Sequence, residues 1–145
     1  RNESGRFKKL IAAIVVLFKR GPGNFKCWAC DKEKKKRHGC VRPTPKKKPV
    51  WYIDECFICW GKNPKCKTCH GTNRILMYRC PHALARDSSV VRLLPHLTRY
   101  RKYGVYPDGT MAMLKQPIAL LHAITVAEYF WNKYEMEQIK NGGSS

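Results

Sequence analysis

Two short stretches, Cys56-Phe57-Ile58-Cys59-Trp60-Gly61 and Cys66-Lys67-Thr68-Cys69-His70-Gly71, repeat the pattern C-x-x-C-x-G, with six residues between Cys59 and Cys66. Two residues between cysteines let a tight turn aim both sulfurs at one point. A glycine two positions later accepts the positive φ that turns the chain away. The expected occupant is one zinc ion held by Cys56, Cys59, Cys66 and Cys69. Four thiolates leave no coordination position for water or substrate, so the expected role is structural. Of the eight cysteines, six fall in three C-x-x-C pairs, which favours metal over disulfides and implies synthesis in a reducing compartment.

The other four cysteines form a less determined set. They lie in Cys27-Trp28-Ala29-Cys30, His38-Gly39-Cys40 and Cys80-Pro81-His82. Cys27, Cys30, Cys40 and Cys80 are the preferred ligands of a second zinc ion, with His38 and His82 as alternates. Spacing leaves a crossed wiring open, in which Cys27 and Cys30 join Cys66 and Cys69 while Cys56 and Cys59 take Cys80 and His82. His70, His96 and His122 lack ligand-like neighbours and read as ordinary surface or core residues.

The formal net charge is +19, and the first 50 residues carry +13 of it, with 16 basic and 3 acidic side chains. So dense an excess repels itself unless a polyanion screens it. Lys34, Lys35, Lys36, Arg37, Lys46, Lys47 and Lys48 are the expected phosphate contacts. Trp28 and Trp60, together with Trp51 and Tyr52, are the expected stacking faces. No recognition-helix or ribonucleoprotein motif is present, so any nucleic-acid binding should be largely indifferent to sequence.

Apolar spacing predicts a helix over residues 6–20, with Phe7, Leu10, Ile11, Ile14, Leu17 and Phe18 on one side and Lys8, Lys9 and Lys19 toward the other. Its apolar run, Leu10 to Phe18, is about half the roughly 20 residues needed to cross a bilayer. Pro43, Pro45 and Pro49 favour an extended linker. The β-prone segments Val50 to Ile53 and Arg74 to Arg79 should pair as a hairpin beneath the metal. Residues 87–140 read as helical, with Asp87 or Ser88 as a cap, Pro95 kinking or restarting the helix, a turn at Tyr106-Pro107-Asp108-Gly109, and Pro117 opening a long last helix.

The organisation expected is therefore a small α+β chain. Residues 1–23 form an amphipathic helix, 24–49 a basic cysteine-containing segment and linker, 50–84 a zinc-binding ribbon, 85–140 a helical hairpin and 141–145 a flexible tail. No phosphate-cradling glycine loop, open zinc site with a neighbouring Glu, or nucleophile elbow is found. Asp54 and Glu55 adjoin Cys56, but adjacent residues in a strand point opposite ways, which argues against paired carboxylates. Catalysis is not expected.

Two resemblances bear on function. The C-x-x-C-x-G pair at 56–72 resembles the zinc module of the DnaJ-type chaperones, although the second glycine of each full repeat of that module is missing here. This implies zinc and, as an alternative role, assembly chaperoning. Arg79-Cys80-Pro81-His82-Ala83-Leu84, the capped helix with Tyr100 and Tyr103, the Tyr106-Pro107-Asp108-Gly109 turn and Gln116-Pro117 before the last helix are similar to small cysteine-containing proteins of tailed bacteriophages. That likeness implies a structural or assembly protein of a virion, made in a bacterial cytoplasm and working among other proteins of a particle. The Lys-rich front departs from the phage pattern. A free-standing zinc-finger regulator of nucleic acid is the alternative reading, and no membrane partner or small-molecule substrate is expected.

Overall fold

The computed structural model describes residues 3–18, 29–40 and 48–142. In chain order these form α1 (Glu3–Leu17), α2 (Lys32–Arg37), β1 (Trp51–Ile53), β2 (Ile75–Met77), α3 (Pro81–Ala85), α4 (Ser88–Tyr103), a 3-10 turn (Met113–Lys115) and α5 (Ile118–Gly142). The protein is thus mostly helical, with one two-stranded hairpin and a long C-terminal helix.

Sequence patterning places a single apolar stripe on α1, but the helix is buried on every side over Leu10 to Val15. Ala12 and Ala13 are small enough to let neighbouring elements approach closely, and the helix packs against α3, α4 and α5. Leu17, assigned to the apolar face, is half-exposed. The sequence misleads here because Lys8 and Lys9 suggest a wet face. Both are only partly buried, and Lys9 reaches Asp87 at 2.6 Å. An amphipathic side chain can bury its stem while its ammonium finds a partner.

β1 and β2 pair antiparallel with Trp51 opposite Met77, Tyr52 opposite Leu76 and Ile53 opposite Ile75. Alternation puts Trp51, Ile53, Ile75 and Met77 inward and leaves Tyr52 and Leu76 outside. Trp51 closes the open end of the ribbon by donating its indole N–H to the Arg79 carbonyl at 2.7 Å. Strands of three residues cannot stand alone in water. Their inner face is continuous with the buried residues of α1, α5 and the four knuckle cysteines.

α4 starts where the Asp87 carbonyl accepts from Val90 and Val91, both at 3.0 Å, and it runs through Pro95 to Tyr103. The expected turn is present: Gly109 N–H donates to the Tyr106 carbonyl at 2.9 Å, with Gly109 at φ +83°. Buried Gln116 ties this turn to α5 by donating to Asp108 at 2.8 Å. On α5, Ile124, Val126, Phe130 and Tyr134 are buried, while Ile118 and Ile139 toward its two ends are exposed. Arg101 of α4 ties the pair together through Asn132, Glu128 and Glu135. Among the described residues no helix is long and apolar enough to cross a membrane.

Placing α1 at the centre makes a direct prediction. Ile14→Ala should lower unfolding stability by about 2–5 kcal/mol, as cavity-forming core truncations do, whereas Leu17→Ala should cost about 1 kcal/mol or less. Urea denaturation of the zinc-loaded chain measures both, and equal effects would contradict the placement.

Candidate metal centre

Each knuckle is built by the same backbone pattern. Trp60 N–H donates to the Cys56 carbonyl at 2.7 Å and Lys62 N–H to that of Cys59 at 2.8 Å. His70 and Thr72 do the same to Cys66 and Cys69, at 2.8 and 3.0 Å. The two C-x-x-C-x-G units are thus copies of one turn. Gly61 and Gly71 take the positive φ expected of them, +75° and +79°, and the residues before them, Trp60 and His70, share it at +50° and +51°. At Gly71 the need for glycine is also steric, since a Cβ there would lie 2.6 Å from the Pro64 carbonyl oxygen. Asn73, also at positive φ, turns its side-chain oxygen to accept from Cys56 N–H at 3.0 Å. It locks the exit of the second knuckle to the entry of the first. Its only signal in the sequence is its type, since Asn tolerates the left-handed region better than most residues.

The four sulfurs converge. All lie within 4.8 Å of one another, with Cys56 Sγ 3.9 Å from Cys66 Sγ and Cys59 Sγ 3.6 Å from Cys69 Sγ. A tetrahedron of sulfurs around zinc at about 2.3 Å has edges of about 3.8 Å. The donor set and its spacing therefore fit one zinc ion, and the crossed wiring, which would divide these four cysteines between two ions, is overturned. Burial pushes the Cys56 thiol up to about 12, whereas backbone N–H groups of Cys69 and Thr68 pull Cys66 down to about 6. A dication resolves this split by taking all four as thiolates and releasing protons as it binds.

A second feature anchors the metal turn to α5. Asp54 and Glu55 follow β1 in a bend, where strand alternation no longer applies, and both reach Lys133, at 3.0 and 2.8 Å. The expectation that they diverge is corrected on that ground. Burial alone would lower the Lys133 pKa, but the two carboxylates outweigh it and raise it. Tyr129 donates its hydroxyl to Glu55. Trp60 packs edge-on against Tyr129, with ring centres 4.7 Å apart, and stacks on Phe130 at 6.3 Å.

The remaining expected site residues fall elsewhere. Lys34, Lys35, Lys36 and Arg37 form the exposed body of α2, capped by Asp31, which accepts from Lys34 N–H at 2.7 Å. Lys48 is exposed. Trp60 is partly buried and holds α5, and Trp51 is buried. Cys27, Trp28, Lys46 and Lys47 lie outside the described residues. Cys30, Cys40, Cys80, His38 and His82 do not gather into a second group of three or more donors among the described residues. His38 and Cys80 are nevertheless adjacent through backbone, Cys80 N–H donating to the His38 carbonyl at 2.6 Å. Arg79 Nε donates to the Gly39 carbonyl at 3.3 Å. His82 is half-buried, and burial followed by the charge of Arg86 lowers its pKa.

Comparison of the chain with known protein families, curated proteins and solved structures gave no match.

Two outcomes follow for the metal. Gly71→Ala should weaken zinc binding at least tenfold, while Gly109→Ala, which carries the same positive-φ strain but has nothing within 4 Å of its added methyl, should leave it unchanged. Zinc affinity should fall as pH falls, most steeply below about 6, where Cys66 also takes up a proton. Competition with a chromophoric chelator across pH checks both.

Proposed function

We propose that this protein is a non-catalytic, zinc-stabilised structural or assembly component of a bacteriophage particle whose basic N-terminal part contacts nucleic acid. The observation that carries the non-catalytic part is the donor set itself. Four cysteines at tetrahedral spacing saturate a zinc ion and leave it no position for a reacting water. The metal then supplies a rigid cross-link between two knuckles, and the neighbouring Asp54 and Glu55 are engaged by Lys133 rather than facing an open cleft.

Support for nucleic-acid contact comes from α2. Five of its six residues are cationic and none of the six is buried. None of those five cations makes a salt bridge among the described residues. A helix this polar on all sides gains nothing from packing, so its persistence at the surface favours a partner that supplies negative charge. The role in a virion rests on the resemblance of residues 79–138 to small phage proteins, and the reducing compartment on the need for free thiols. A second zinc ion on Cys27, Cys30, Cys40 and Cys80 belongs to the same reading. The backbone bond from Cys80 to His38 and the side-chain bond from Arg79 to the Gly39 carbonyl support it by holding the two relevant segments side by side.

Binding to a generic duplex should weaken linearly in log–log terms with salt. Replacing Lys34, Lys35, Lys36 and Arg37 together by Glu should flatten that slope by about 2–4 units, roughly one for each phosphate no longer neutralised. A salt-independent signal, or an unchanged slope in the variant, would remove nucleic acid from the proposal. Native mass spectrometry of the full chain counts the metal separately: two zinc ions are expected, and one would confine the metal to the knuckles.

A further inference from the structure

Between α1, α4 and α5 lies a cleft of about 500 Å³ that touches none of the described cysteines and none of the α2 cations. Its walls are apolar: Phe7 and Leu10 from α1, Val90 and Leu93 from α4, Leu120 and Ala123 from α5. The floor closes on Leu97 and Ile124. A sealed apolar cavity of about 150 Å³ already suffices to hold a benzene, so this one has room for a hydrocarbon chain. Ligand sites generally combine such a lining with a few polar groups that fix one end of the ligand. The polar groups here share one character. Arg6, Arg92 and His96 line the cleft and are exposed, and among the described side chains no carboxylate lines it. The nearby acid Asp87 is held by Lys9. Ile118, between the lining residues Pro117 and Ala119, is 86% exposed and extends the apolar surface outward.

We propose that this cleft binds one anionic amphiphile with a single hydrocarbon tail, the tail lying along Phe7, Leu10, Leu93 and Leu120 and the carboxylate or phosphate head meeting Arg6 and Arg92. Charge decides the class of ligand. An apolar trough whose described rim carries the two guanidinium groups of Arg6 and Arg92 disfavours a cationic head and gives an uncharged one little to hold. A second copy of this strongly basic chain would bring more positive charge to the same rim. The cleft shares no lining residue with the four knuckle cysteines or with α2, so the proposal does not rest on zinc or on nucleic-acid contact.

The test uses the zinc-loaded full chain and straight-chain carboxylates from octanoate to dodecanoate, with dodecyl phosphate as the phosphate arm, all below their micellar concentrations. Calorimetry should show one molecule per chain, with affinity rising about fourfold per added methylene, the factor that corresponds to about 0.8 kcal/mol for burying each one. Dodecyltrimethylammonium should bind at least tenfold more weakly than dodecanoate. Arg92→Glu, an exposed change that leaves the core intact, should weaken dodecanoate at least tenfold. Lys34→Glu on α2 should leave it unaltered, which separates the cleft from general attraction to a basic protein. Whichever of dodecanoate and dodecyl phosphate binds tighter identifies the head group. Several molecules per chain, equal loss in both variants, no dependence on tail length, or no saturable binding of either head group up to about 1 mM would each overturn the proposal.

Discussion

Four thiolates held within 4.8 Å in a largely buried setting cannot coexist without a cation. That electrostatic demand shapes residues 50–80. Four like charges removed from water repel strongly and would either take up protons or drive the turns apart. A dication reverses the sign of the problem. The knuckle backbone has little stability of its own, since it relies on the left-handed residues Trp60, Gly61, His70, Gly71 and Asn73, and the hairpin beneath it has three residues per strand. A zinc ion on these four cysteines would hold these parts in one conformation, because in small metal modules the binding free energy is also folding free energy.

The rest of the molecule meets that centre through α5. Trp60 lies against Tyr129 and Phe130, and Lys133 gathers Asp54 and Glu55, so both ends of the first knuckle are fixed to one helix face. α5 in turn packs on α1, whose six consecutive buried residues supply the apolar interior. Two sources of stability would therefore meet: coordination at the four cysteines for the ribbon, and hydrophobic burial for the helices. The lysine-rich composition hides the second, because cations cluster in α2 and in the first half of α1, at Arg6, Lys8 and Lys9, and leave Leu10 to Leu17 entirely apolar.

The clustering of the four cysteines was legible in the sequence because the requirement is local: two sulfurs with two residues between them, and a glycine where the chain must turn left-handed. The hairpin was legible for a similar reason, since alternation within Trp51 to Ile53 and Ile75 to Met77 matches one buried and one wet face. What escaped was non-local. Nothing at Lys9 announces Asp87, 78 residues away, and nothing at Asp54 and Glu55 announces Lys133. Strand alternation does not extend to the two residues after β1, where the backbone bends. The crossed wiring failed for a related reason: the gap between the knuckles is short enough that their own backbone brings Cys66 and Cys69 to Cys56 and Cys59, and pattern spacing does not carry that three-dimensional fact.

Hydrogen–deuterium exchange of the full chain, before and after zinc is stripped by a chelator under reducing conditions, tests the central claim most directly. The account predicts that amides across residues 50–80 lose their protection when the metal leaves, while the middle of α1 and the buried stretch of α5 keep most of theirs. Unchanged exchange across residues 50–80 in the metal-free chain would contradict it, because the knuckles would then be held by something other than coordinated zinc.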